Sequence, residues 1–180
     1  MVRNIREVGE NRYREEYGRF FEDFTVGDVY EHRPNRTITE TDNYWFTLIT
    51  MNNHPLHFDA EYAAQTEWDQ ELVNSALTLS VVLGMTVSDV SYQAVANLGW
   101  EEVRLTNPVF HGDTLTAESE VVRKRESESR PGQGIVTVET TGFKQTGEKV
   151  IEFTRSALIP TREAAGESAS TDEADSTDDQ

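Results

Sequence analysis

The run TMNNHPLHFDAEYA, Thr50 to Ala63, gathers two histidines, two amide side chains and a proline directly after the apolar NYWFTLI. An unperturbed imidazole titrates at about pH 6.5, so near neutrality it can take a proton and give it back. That makes His57 a candidate general base. Its alternative is a structural histidine, the commoner role for a single imidazole with no motif around it. A metal reading would enlist His54, His57 and Asp59, but their spacing matches no strong zinc pattern and the chain has no cysteine to add a thiolate. No metal is expected.

The elements around this run must place it. Thr41 or Asp42 can cap the orphan amides of a helix, and Trp45, Leu48 and Ile49 then fall on one face three and four residues apart. Pro55 disfavours helical backbone at His54, so the helix ends near Asn52 to Pro55 and the polar run occupies its C-terminus and the following loop. AEYAAQTE reads as a short helical turn. ELVNSALTLSVVLGMTVSDV is apolar on nearly every side, and a helix of that kind has to be enclosed.

Four strand-like segments follow: AVANLGWEEVRLTNPVF, DTLTAESEVVRKRES, GIVTVETTGFKQ and EKVIEFTRSALIP, punctuated by Asn-Pro, His-Gly-Asp, Pro-Gly-Gln-Gly and Thr-Gly turns. Asp113 reads as a turn residue, and Trp45, Trp68 and Trp100 as packing. Upstream, FEDFTVGDVYEHRPNRTIT reads as two short extended pieces with turns at Gly27-Asp28 and Pro34-Asn35. The expected architecture is α+β, an antiparallel sheet of five or six strands curled around one buried helix. Residues 1–19, with a helical period in Ile5, Val8, Tyr13 and Tyr17, read as an arm, 20–162 as one domain and 163–180 as a disordered acidic tail.

With 33 acidic and 16 basic side chains the net charge is -17, and only Lys124, Lys144 and Lys149 among the bases are lysines. Such a surface repels nucleic acid. The tail holds seven of the acids, so its removal still leaves 26 against 16 bases. An acidic, lysine-poor surface suits concentrated salt, where self-repulsion is screened. No run is long and apolar enough to span a membrane, and the N-terminus is charged where a secretory signal needs an apolar stretch, so a cytoplasmic protein is expected.

Helix, HPLHFD, enclosed helix, ANLGWEEVRLTNPVFHGDTL and two long strands together resemble the MaoC-like (R)-specific enoyl-CoA hydratase family, over roughly Phe20 to Arg162. The resemblance implies the hot-dog fold. The family's signature is Gly-Asp, any residue, Asn-Pro-Leu-His, with the aspartate and histidine as the catalytic pair. MNNHPLH lies on it: His57 takes the histidine position, Pro55 and Leu56 match, His54 replaces the asparagine and Asn52 stands where the catalytic aspartate would be. Ala96-Asn97-Leu98-Gly99 and Gly112-Asp113-Thr114-Leu115 are similar to the branch of mesaconyl-CoA and itaconyl-CoA hydratases, and Asn52 reads as a feature of that branch.

The resemblance implies hydration of an enoyl-CoA, with His57 and Asn52 catalytic. Asn52 cannot transfer protons, so it would orient water through its carbonyl oxygen, while Asp42 and Asp59 are the candidates for orienting the imidazole. The amide of Ser75, at a position where relatives carry His-Gly against Asn74-Ser75 here, would stabilise the oxyanion. His54, Asn74 and Arg104 are substrate-binding candidates, Arg104 and His54 for a second carboxylate on the acyl group. Arg123, Lys124 and Arg125 form the densest basic spot and are candidates for the CoA phosphates. No cofactor is implied, since the CoA thioester is the substrate. Hot-dog domains pair, so a homodimer or dimer of dimers is expected. A non-catalytic acyl-CoA-binding module and a thioesterase remain alternatives, because one fold hosts several chemistries. Dialysis from molar KCl into low salt is expected to unfold the protein; circular dichroism unchanged without salt would refute the reading of its charge.

Overall fold

The structure, a computed structural model, describes residues 4–166. Its central sheet has five antiparallel strands in the order β3-β5-β6-β7-β4, formed by β3 (Val29–Thr37), β4 (Ala96–Leu105), β5 (Thr114–Glu126), β6 (Gln133–Lys144) and β7 (Lys149–Pro160). Between β3 and β4 lie helices α1 (Glu40–Ile49), α2 (Ala60–Ala63) and α3 (Ser75–Met85), with a 3-10 turn at Pro55–His57 and a π-helical turn at Val87–Ser91. The α+β architecture is the expected one.

Alternation explains how the sheet holds α3. Leu115, Ala117, Ser119 and Val121 of β5, Val136, Val138 and Thr140 of β6, and Ile151, Phe153, Ala157 and Ile159 of β7 face inward. Leu77 and Val82 of α3 pack with Ile38, Leu115, Ala117, Val150, Ile151 and Phe153. The helix passes so close to β6 that a Cβ on Gly142 would sit 2.8 Å from both Val82 Cγ2 and Ile151 Cγ2. Only glycine leaves room there.

Several local expectations change. Residues Asn4–Gly9 (β1) and Arg12–Glu16 (β2) form an antiparallel hairpin, not a helix. Ile5 and Tyr13 are exposed, so their spacing marked no buried face. Pro34-Asn35 makes no turn: both lie within β3, where pairing with β5 is irregular between His32 and Arg36, an arrangement an edge strand tolerates. The cap of α1 is Thr39, whose side chain accepts from the Asp42 amide while Asp42 accepts from the Thr39 amide. Trp45, Leu48 and Ile49 are 64%, 68% and 72% exposed, and the buried side chains of α1 are Asn43 and Thr47. The acidic tail expected over 163–180 lies largely outside the described residues; 162–166 form a turn. Among the described residues no helix is long and apolar enough to cross a membrane.

The interior also holds a polar chain. His32, fully buried on β3, places Nδ1 3.1 Å from Asp89 Oδ2 and Nε2 2.8 Å from Ser119 Oγ, which lies 2.8 Å from Thr140 Oγ1. Asp89 belongs to the π-helical turn, so this chain fastens that turn to β3, β5 and β6. Arg19 joins by donating to the Asp89 carbonyl at 2.8 Å. Burial by itself would raise the Asp89 carboxyl, but the His32 hydrogen bond, His32's charge and Arg19 outweigh it and hold the group below its ordinary value. A depressed folded-state value means that ionised Asp89 stabilises the fold above about pH 4, and that this contribution is lost as pH falls through the folded-state value. Asp89→Ala is therefore expected to cost about 3–5 kcal/mol at pH 7. Denaturant titrations should show a smaller difference from the parent protein below pH 4.

Candidate active site

The polar run becomes a loop because α1 stops abruptly. Met51 adopts φ 57°, and the Asn52 amide donates back to the Thr47 carbonyl at 3.1 Å. Asn52 Oδ1 then accepts from the His54 amide at 3.1 Å, His54 Nδ1 from the Leu56 amide at 3.2 Å, and the chain enters the turn Pro55–His57. Each polar side chain thus replaces a backbone partner lost at the helix end.

His57 is half-buried, and its Nδ1 lies 2.8 Å from the Leu72 carbonyl oxygen. A carbonyl can only accept, so Nδ1 carries a hydrogen, and in the neutral imidazole the lone pair is then on Nε2. Neither aspartate considered for this orienting task performs it. Asp59 caps α2 by accepting from the Tyr62 amide at 3.0 Å, and Asp42 caps α1 and accepts from Arg36 at 2.7 Å. Burial would raise Asp42 first, but the Thr39 bonds and Arg36 prevail and lower it. The His54 ring lies 6.1 Å from that of His57 and 5.9 Å from Tyr62.

The N-terminus of α3 faces the same region. Asn74 is its N-cap, accepting from the Ala76 amide at 3.0 Å. Ser75 follows as the first helical residue, whose amide has no acceptor within the helix and sits at the positive end of the dipole. A cavity of about 220 Å³ opens beside it, lined by Trp68, Leu72, Ser75, Thr78, Leu105 and Pro108. A larger one, about 520 Å³, lies at the opposite end of α3 between Arg33, Met85 and Tyr92 and touches none of His57, Asn52 and Ser75. The smaller cavity is lined by Ser75 and by Leu72, whose carbonyl holds the His57 ring, but His57 and Asn52 are not among its lining residues.

Two residues that motif reading passed over complete the region. Asn43 of α1 is fully buried; its Nδ2 lies 3.0 Å from the His57 carbonyl oxygen, 3.2 Å from the Leu72 carbonyl oxygen and 3.0 Å from His111 Nε2. Asn43 Oδ1 accepts from the Asn74 amide at 2.8 Å. His111 packs edge-on against Tyr44 at 6.0 Å, and Tyr44 donates to Glu71 at 2.6 Å. The Glu71 bond, then burial, raise the Tyr44 phenol above its ordinary value, so it stays protonated. The sequence carried no signal for Asn43, because the apolar spacing of Trp45, Leu48 and Ile49 marks the opposite, exposed side of α1.

Other candidates lie elsewhere. Arg104, on the edge strand β4, is 63% exposed at its side chain and pairs with Glu102 at 2.9 Å and Glu152 at 3.6 Å. Arg123, Lys124 and Arg125 stand nine or more positions beyond Thr114 on β5, roughly 30 Å of strand at about 3.3 Å per residue. Lys124 there donates to the Phe24 carbonyl at 2.8 Å and covers the Phe21 ring. Among the described residues no group of three His, Asp or Glu side chains is arranged to hold a metal.

The pattern of the mesaconyl-CoA hydratase family matches residues 3–180. The mesaconyl-CoA hydratase of Cereibacter sphaeroides is 36% identical over 148 residues, which cover 82% of this chain and 43% of that protein. The chain thus spans less than half the length of the curated mesaconyl-CoA hydratases it matches. Among solved structures, the monoamine oxidase regulatory protein from Archaeoglobus fulgius superposes with a TM-score of 0.71 at 35% identity, over 80% of this chain and 95% of that one. RV0216 from Mycobacterium tuberculosis, described as having a double hotdog fold, superposes with a TM-score of 0.74 at 26% identity, over 80% of this chain and 44% of that one. The five-stranded antiparallel sheet around α3 is accordingly a hot-dog fold, and the chain belongs to the mesaconyl-CoA hydratase family of MaoC-like hot-dog dehydratases.

Proposed function

We propose that the chain hydrates, reversibly, the 2,3 double bond of a short branched dicarboxylic enoyl-CoA, with mesaconyl-CoA favoured and itaconyl-CoA and crotonyl-CoA next. The observation that carries this is His57, held with Nδ1–H on the Leu72 carbonyl, which leaves Nε2 as the basic nitrogen of the neutral ring, next to the segment that starts α3. Nε2 takes a proton from water as the water oxygen bonds to the β-carbon. The electron pair of the double bond moves toward the thioester oxygen, where the Ser75 amide donates. The same imidazole then returns its proton to the α-carbon, so that H and OH are added and His57 ends neutral. Such a positioned proton transfer is worth about 10² to 10⁴ in rate, and one oxyanion donor about 10² to 10³.

Asn52 moves no proton. Its Oδ1, accepting once from the His54 amide, keeps a second lone pair for the attacking water. His54, exposed beside His57, is the nearer candidate for the second carboxylate of the acyl group, while Arg104 already faces two acids. Pairing with a second copy would supply the second fold that RV0216 is described as holding in one chain. The uncovered Trp45, Leu48 and Ile49 of α1, and Leu98, Trp100, Val103 and Leu105 on edge strand β4, are the surfaces that fit it. The amide at Asn52, where an acid would be titratable, favours the second reading, a non-catalytic acyl-CoA-binding module.

Offered mesaconyl-CoA, itaconyl-CoA and crotonyl-CoA in molar KCl, the protein is expected to remove enoyl absorbance with the thioester intact, and His57→Ala to lower kcat by about 10² to 10⁴. Binding without turnover would favour the module, and release of free CoA thiol a thioesterase. Asn52→Asp is expected to leave or raise kcat; loss of turnover with binding retained would remove Asn52 from the water-positioning role.

A further inference from the structure

Base and oxyanion amide come from separate stretches of chain, the Pro55–His57 turn and the start of α3. Asn43 is bonded to both. An Asn inside a helix is less favourable than Ala, and a buried amide costs more unless its polar atoms are paired, so neither helix formation nor apolar packing explains it. Its bonds do. Nδ2 offers two hydrogens to three acceptors: the carbonyl of His57 itself, the Leu72 carbonyl that fixes the His57 tautomer, and His111 Nε2. Oδ1 holds the Asn74 amide, one residue before Ser75. No amide flip satisfies these partners, because the Asn74 N–H can only donate and the two carbonyls can only accept.

We propose that Asn43 is a positioning residue that fixes the His57 imidazole, in one tautomer, at a set distance from the first amides of α3. The inference rests on the hydratase reading for its kinetic consequence and on geometry alone for the tautomer. Displacing a reacting group by about 1 Å costs on the order of 10²-fold in rate. Asn43→Asp keeps an acceptor for the Asn74 amide but turns an oxygen toward two carbonyl oxygens, whereas Asn43→Ser removes both arms without adding charge.

The test measures kcat and KM for both variants, thermal unfolding, and the imidazole ¹⁵N shifts of His57. Both variants are expected to lose about 10²-fold in kcat with KM nearly unchanged, and the His57 ring is expected to leave its single Nδ1–H form for a mixture of tautomers. A lowered Tm with parental kcat and parental ¹⁵N shifts in the folded protein would overturn the proposal. If Asn43→Asp does not fold, Asn43→Ser decides between the same two outcomes. Should the parent protein hydrate no enoyl-CoA, the hydratase reading fails separately, while unchanged His57 shifts in the variants would still refute the positioning role.

Discussion

A helix that is apolar on nearly every side must be enclosed, and the enclosure decides where its two ends emerge. In this chain the sheet curls around one side of α3, with Gly142 allowing the close approach of Val82, so Leu77, Thr78 and Val82 are buried. Ala76, Ser80 and Gly84, four residues apart, leave one face of the helix exposed. Its N-terminal amides then open onto the cavity lined by Leu72, Ser75 and Thr78. Its other end meets Arg155, whose Nη2 donates to Thr86 at 3.0 Å and whose pKa burial alone pulls down to about 10. Among the described residues no acid pairs with Arg155. The guanidinium instead stands where the C-terminal end of the helix dipole is negative, which offsets part of the cost of burying it.

Irregular backbone adjoins the helix at both ends, and each irregular piece is secured by a buried polar side chain reaching between elements. At the C-terminal end His32, Asp89, Ser119 and Thr140 fasten the π-helical turn to three strands. At the N-terminal end Asn43 gathers the His57 turn, the Leu72 to Asn74 segment and His111. Both networks lie within an interior of low polarity, where a satisfied group is rigid and an unsatisfied one is costly. One of them reaches, through Leu72, the cavity beside Ser75; in the other His32 and Ser119 are fully buried, while Asp89 lines a separate cavity with Arg19.

The surface shows the complementary consequence. Once α1 spends its inward side on Asn43 and Thr47, its apolar residues point outward, and edge strand β4 leaves a further apolar row uncovered. The outward apolar face of α1 and the buried Asn43 network are properties of one arrangement, because the helix that presents Trp45, Leu48 and Ile49 outward is the helix that presents Asn43 inward.

Composition and periodicity by themselves determined the apolar helix, the four strands after it, the α+β class and the stop of α1 before Pro55, since each follows from local backbone preference and apolar spacing. Full enclosure of that helix was also expected, but its Ala76, Ser80 and Gly84 face is exposed. The motif around His57 selected the imidazole and the family. Which side of α1 is buried was not legible: the spacing of Trp45, Leu48 and Ile49 shows that an apolar face exists and cannot show what covers it. Nor did the sequence reveal that β1 and β2 pair, that Pro34 lies within a strand, or that a carbonyl fifteen residues away orients His57 in place of Asp42 or Asp59. Those depend on contacts between distant segments. Only the folded chain brings Asn43, His57, Leu72, Asn74 and His111 together, because hydrogen-bond partners are chosen by proximity in space and a backbone carbonyl leaves no mark in the residue code.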